Sequence, residues 1–173
     1  MTNSEGRRPS RTPWHPARPI TRFLSASLVL LVFTVLGTQS AVAQNPNLDP
    51  TYRTVRLTEG FTPDPSIVPV TAGGAIQVSV GSCSYGLIAN APDVDFYYTT
   101  STDSDLYIYA NSGEDTMILV SRPNGSWICN DDSIGLDPVV YIPRAPAGRY
   151  DILVGTIGSN GPATLYTSEI DPR

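Results

Sequence analysis

Asp115-Thr-Met-Ile-Leu-Val-Ser-Arg-Pro-Asn-Gly-Ser-Trp-Ile-Cys-Asn-Asp-Asp132 holds two short apolar runs, 117–120 and 127–129, on either side of Arg122-Pro-Asn-Gly125. Pro123 presets φ for the first corner of a turn, and Asn124-Gly125 tolerate the positive φ that other residues resist. Met-Ile-Leu-Val is too short for a helix and partly β-branched, so it reads as a strand. The stretch predicts a β-hairpin at the centre of an all-β domain. It ends on Cys129 and on the acidic corner Asn130-Asp-Asp-Ser133.

Outward from the hairpin the pattern stays β. In 93–99, Val94, Phe96 and Tyr98 alternate on one face, and in 105–110 Leu106, Ile108 and Ala110 do the same. Further strands are expected at 52–57, 66–71, 75–80, 138–143, 149–157 and 163–170. Ala72-Gly-Gly74 reads as a hairpin connection between two of them. Strand signals recur with turns between them and no 3.6-residue period persists. One-sided sheets must bury their faces against each other, so the expected fold is an antiparallel, jelly-roll-like β-sandwich of eight to ten strands.

The chain is 173 residues long, and its first third differs from the rest. Five arginines and the only histidine, His15, precede the apolar run 23–36, and Ala41-Val-Ala43 follows. Basic, apolar and small-x-small regions in that order predict a secretory signal peptide over 1–43. The alternative is an uncleaved anchor, although the run is shorter than the roughly 20 apolar residues a spanning helix needs. Residues 44–51 are expected as a linker and 52–173 as one domain, exported to the periplasm or beyond the cell without stable membrane insertion.

Residues 44–173 carry six arginines and fifteen carboxylates, hence 6 − 15 = −9, with neither lysine nor histidine. That charge excludes nucleic acid and anionic membrane surfaces as partners, since both need a basic face. The two cysteines, Cys83 and Cys129, both fall in this part. An even count in an oxidising compartment points to a disulfide. Two buried thiols, or a metal pair short of its other ligands, are the alternatives.

Asp93-Val-Asp-Phe-Tyr-Tyr98, Asp115-Thr-Met-Ile-Leu-Val120, Arg122-Pro-Asn-Gly125, Asn130-Asp-Asp-Ser133, Pro138 with its strand, and Ala147-Gly-Arg-Tyr-Asp-Ile-Leu-Val154 follow one another in that order. In this series the segment 91 to 157 resembles the bacterial pre-peptidase C-terminal domain, here stand-alone. The resemblance implies a β-sandwich related in shape to the collagen-binding domains of clostridial collagenases. It also implies calcium near the segment matching Asp93-Val-Asp95.

The chemistry open to such a chain is narrow. Nucleophilic serine or cysteine catalysis needs a histidine or lysine base, and zinc catalysis draws on histidine. Residues 44–173 have neither. The expectation is therefore a non-catalytic binding or accessory module acting by surface contact on a protein or polysaccharide. The alternative is a small carboxylate-dependent hydrolase or peptidase-associated enzyme. Asp93, Asp95, Asp131 and Asp132 are the candidate Ca²⁺ ligands, because clustered loop carboxylates suit its flexible oxygen shell. The same aspartates equally cap turns. Tyr97, Tyr107 and Tyr109 point outward and form a candidate binding face, although tyrosine is also simply a good strand former.

Overall fold

A computed structural model describes residues 45–80, 83–84, 86–102 and 104–173. The expected signal peptide, 1–43, lies outside them. Among the described residues the regular structure is all strand: β1 (Arg53–Thr58), β2 (Ser66–Ala72), β3 (Ile76–Gln77), β4 (Leu87–Ile88), β5 (Val94–Thr99), β6 (Leu106–Ser112), β7 (Thr116–Ser121), β8 (Trp127–Asn130), β9 (Val139–Ile142), β10 (Gly148–Thr156) and β11 (Gly161–Ser168). They form a seven-stranded sheet around β10 and a four-stranded sheet in the order β2-β11-β6-β9. The architecture is a β-sandwich.

The hairpin read from 115–132 is β7–β8, closed by Arg122 N donating to Ser126 O at 2.8 Å and Gly125 N to Arg122 O at 2.8 Å. Gly125 has φ +77, the region that suits glycine. The side chain of Asn124 accepts from Ser126 N at 3.0 Å, so Asn-Gly-Ser here is turn chemistry. All six residues of β7 are buried. Ile118 and Val120 face the space between the sheets, while Met117 and Leu119 face a second apolar layer outside the larger sheet. A strand covered on both faces needs no alternation, which explains the unbroken Met-Ile-Leu-Val run.

Three features depart from expectation. First, β2 and β3 are not a hairpin. β2 joins β11 in the smaller sheet, while β3 pairs with β4 in the larger. Ala72-Gly-Gly74 carries the chain between the sheets: Gly73 N donates to Val154 O at 2.9 Å, and Gly74 packs so close that a Cβ would overlap the Ile88 carbonyl. Second, β1 runs parallel to β5, pairing Arg53 with Val94 through Thr58 with Thr99. Third, the strand count reaches eleven, because the two-residue β4 is too short to show a period.

The main core lies between the sheets, with Phe96 stacked on Tyr98 at 5.8 Å and tilted against Tyr150 at 6.1 Å. The second layer, Val78, Ile88, Met117, Leu119 and Leu153, covers the outer face of the larger sheet at β7 and β10. Cys83 and Cys129 form a disulfide with Cα atoms 6.3 Å apart, joining that cover to β8. The bond points to an oxidising, exported setting, where disulfides form and persist.

Candidate functional site

Among the described residues the smaller sheet has no such cover, and its outer face is where tyrosines gather. Alternation along β6 turns Leu106, Ile108 and Ala110 into the core and puts Tyr107 and Tyr109 on the opposite side of the sheet, where Tyr109 is half-buried and Tyr107, covered by its neighbours, is only 8% exposed. Register then supplies each with a partner: Tyr107 lies opposite Tyr141 on β9, and Tyr109 opposite Tyr166 on β11. Direct cross-strand neighbours are close enough for rings to stack. The first pair has centroids 5.0 Å apart at 20°, and the second 4.8 Å apart at 6°. Tyr166 is in turn opposite Ile67 of β2, which is 52% exposed, and Tyr141 is 38% exposed. Tyr109, Tyr166, Ile134, Asp137, Val139 and Pro172 line a shallow groove of about 400 Å³ beside the stacks.

Polar groups rim this face. The Tyr141 hydroxyl donates to Asp105 Oδ2 at 2.9 Å, which raises the phenol pKa, while Arg144 N donates to Asp105 Oδ1 at 2.9 Å and lowers that of the carboxyl. Asp137 accepts from Asn111 Nδ2 at 2.7 Å. Arg173, bonded to Asp171 at 2.9 Å, places its guanidinium 6.0 Å from the centroid of Tyr107. Burial, then the neighbouring Tyr166, raises the pKa of Tyr109.

Tyr97 does not join this face. It belongs to β5 in the larger sheet, directly opposite Arg56, whose guanidinium rests 3.8 Å from its ring centroid. Parity along a strand told that Tyr97 points outward, but not from which sheet. Tyr141, Tyr166 and Ile67 complete the site and were not singled out from sequence. Their outward position is legible by alternation in 139–142, 163–168 and 66–72, but their adjacency comes only from register.

The candidate calcium ligands fall in two places. Asp93 is 2% exposed and accepts from Val154 N at 2.6 Å, and burial pushes its pKa from 3.8 to about 7. Asp95 lies opposite Asp151 across β5 and β10, with Arg149 between them: its Nη2 is 3.2 Å from Asp95 and its Nε 2.5 Å from Asp151. The same Nη2 donates to Pro46 O at 2.5 Å, pinning the linker over this acidic strip. Asp131 and Asp132 stand instead at the end of β8 and raise the pKa of Asp115, whose main perturbation is burial. Among the described residues no group of three or more His, Cys, Asp or Glu is arranged to hold a metal ion.

No family model matches the chain. No curated protein matches it either. Among solved structures, it is similar to the periplasmic inhibitor of g-type lysozyme from Aeromonas hydrophila, PliG. That likeness has 12% identity and a TM-score of 0.34 and covers 67% of this chain and 96% of the other.

Proposed function

We propose that this protein is a non-catalytic, exported binding module that meets its partner through the outer face of β2-β11-β6-β9. One observation carries the reading: the two outer faces of the sandwich are treated differently. Among the described residues, the larger sheet is roofed at β7 and β10 by an apolar layer clasped by Cys83–Cys129, whereas the smaller sheet carries two stacked tyrosine pairs with Tyr141 and Ile67 exposed. Tyrosines supply contact area at low entropic cost and are enriched in interfaces. The partner is a protein or polysaccharide surface, and the setting is periplasmic or extracellular. The order of segments around β5, β7, the 122–125 turn and β10 supports the pre-peptidase C-terminal type.

The hydrolase alternative has less behind it. Asp93 has the raised pKa of a general acid, but its carboxyl is enclosed and bonded to the main chain at Val154. A catalytic acid must reach the substrate proton it transfers.

The test is the double variant Ile67→Ser/Tyr141→Ser, chosen because both residues are exposed. Losing central anchors of an interface costs about 2 kcal/mol or more, so capture of partners from the exported fraction should fall at least about thirtyfold. Circular dichroism should be unchanged. Capture equal to wild type would reject this face as the binding surface.

Calcium remains part of the proposal through Asp131 and Asp132, since Asp93 is bonded to Val154 N and Asp95 to Arg149. The charges of Asp132 and Asp131 act unfavourably on Asp115, and a divalent cation held by Asp131 and Asp132 would relieve that repulsion. A loop site at ten times its dissociation constant adds about 1.4 kcal/mol. The melting temperature should rise with millimolar calcium, drop with chelator, and respond less in Asp131→Asn. A melting curve indifferent to both additions leaves these aspartates as turn formers.

A further inference from the structure

The tyrosine face is ringed by carboxylates. Asp105 holds the Tyr141 hydroxyl, Asp137 lines the groove with Tyr109 and Tyr166, Asp171 stands beside the guanidinium over Tyr107, and the charge of Asp64 is felt at Tyr109. Arg144 and Arg173 oppose these four, and Arg53 of β1 lines a pocket with Ile67 at the edge of the face, giving 3 − 4 = −1. The other three arginines of residues 44–173 belong to the larger sheet and its turns: Arg56 on β1, Arg149 on β10, and Arg122 after β7. The chain also shows what the face accepts. Arg173 lies over Tyr107 while its Nε and Nη2 fork onto Asp171, both at 2.9 Å.

From this we infer that the partner is a basic protein surface, whose arginines stack on the tyrosine pairs and pair with Asp105, Asp137 and Asp171. The inference rests on the reading of this face as a binding surface. A planar guanidinium both stacks on a ring and forks onto a carboxylate, which a lysine ammonium does not. A sugar ring wants a broad open aromatic face. Here each tyrosine has one face taken by its partner, and Tyr107 has Arg173 over its ring. A carboxylate rim also raises association rates with cationic partners, an effect that salt removes.

The test uses the full exported chain and a labelled twelve-residue peptide of alternating arginine and glycine, with a glutamate–glycine peptide as counterpart, read by fluorescence anisotropy. The arginine peptide should bind and the glutamate peptide should not. Its affinity should fall about tenfold when salt rises from about 50 to about 300 mM, because exposed charges are then screened. Asp137→Asn/Asp171→Asn should weaken it about tenfold, while Asp49→Asn/Glu114→Gln, which removes equal charge elsewhere, should not. Arg173→Gln should tighten it by uncovering Tyr107. Equal weakening in both double variants, binding of the glutamate peptide, or weaker binding in Arg173→Gln would each overturn the inference. If Ile67→Ser/Tyr141→Ser abolishes partner capture while Asp137→Asn/Asp171→Asn leaves the arginine peptide unaffected, the binding face stands and the basic partner falls. If that exposed-face variant captures as wild type does, both fall.

Discussion

Replacing Cys83 and Cys129 together by alanine should lower the unfolding free energy by about 4 kcal/mol, with the loss concentrated on one side of the sandwich. The bond spans 46 positions of sequence. Closing a loop of that length restricts the unfolded chain by about 4 kcal/mol in the chain-entropy picture. What it fastens is intrinsically weak. The cover over Met117, Leu119 and Leu153 is built from β3 and β4, two residues each, and so short a pair has no independent stability. Without the clasp, amides near β3 and β4 should lose protection from hydrogen exchange well before those of β10. Urea unfolding of the two forms gives the free-energy difference, and coincident midpoints would show that packing alone holds the cover. Breaking the clasp leaves the tyrosine face intact, since it lies on the other sheet.

The fold was legible wherever residues report their own environment. Val94, Phe96 and Tyr98 alternate because one side of β5 meets the core, and the 122–125 turn carries its own geometry in Pro-Asn-Gly. Parity and compartment sufficed to pair the cysteines. What stayed hidden depends on relations between distant segments. Gly73-Gly74 has the composition of a hairpin turn, yet Gly74 is small because Ile88 presses on it, and that contact is invisible along the chain. The parallel direction of β1 leaves no trace in periodicity. Asp93 and Asp95 fall on the polar side of the alternation, which predicts solvent. They are buried because the linker and the cover close over the larger sheet. Equally, alternation could count three outward tyrosines but not sort Tyr97 from Tyr107 and Tyr109. The candidate site was thus half legible: its residue type and outward direction, without its register partners.

Asp93 accounts for the second large expected effect, and its sign follows from how β10 outlasts β5. Pairing between them ends at Ile152 opposite Val94, yet β10 continues to Thr156. Beyond that point Asp93 carries on the ladder itself, its N donating to Ile152 O at 2.8 Å and its Oδ2 accepting from Val154 N at 2.6 Å. That bond favours the ionised carboxyl, but burial outweighs it and the pKa stands at about 7 instead of 3.8. The folded state therefore holds its proton where the unfolded state has released it. Stability from this group is full below the unfolded pKa and is lost as pH rises from about 4 to about 7, by roughly 4 kcal/mol at 1.4 kcal/mol per unit. Glu59, Asp105 and Asp171 run the other way, since their lowered pKa values make them contribute above the usual carboxylate range. Comparing wild type with Asp93→Asn cancels those three, because the variant changes only this group. The neutral amide still accepts from Val154 N, so Asp93→Asn should gain on wild type by up to about 4 kcal/mol between pH 4 and pH 8. Asp93→Ala leaves that N–H unsatisfied and should be the weaker of the two variants by about 1–3 kcal/mol at every pH. Urea unfolding at pH 4, 6 and 8 checks both statements, and parallel pH curves for wild type and Asp93→Asn would mean that the buried carboxyl titrates as it does in the unfolded chain.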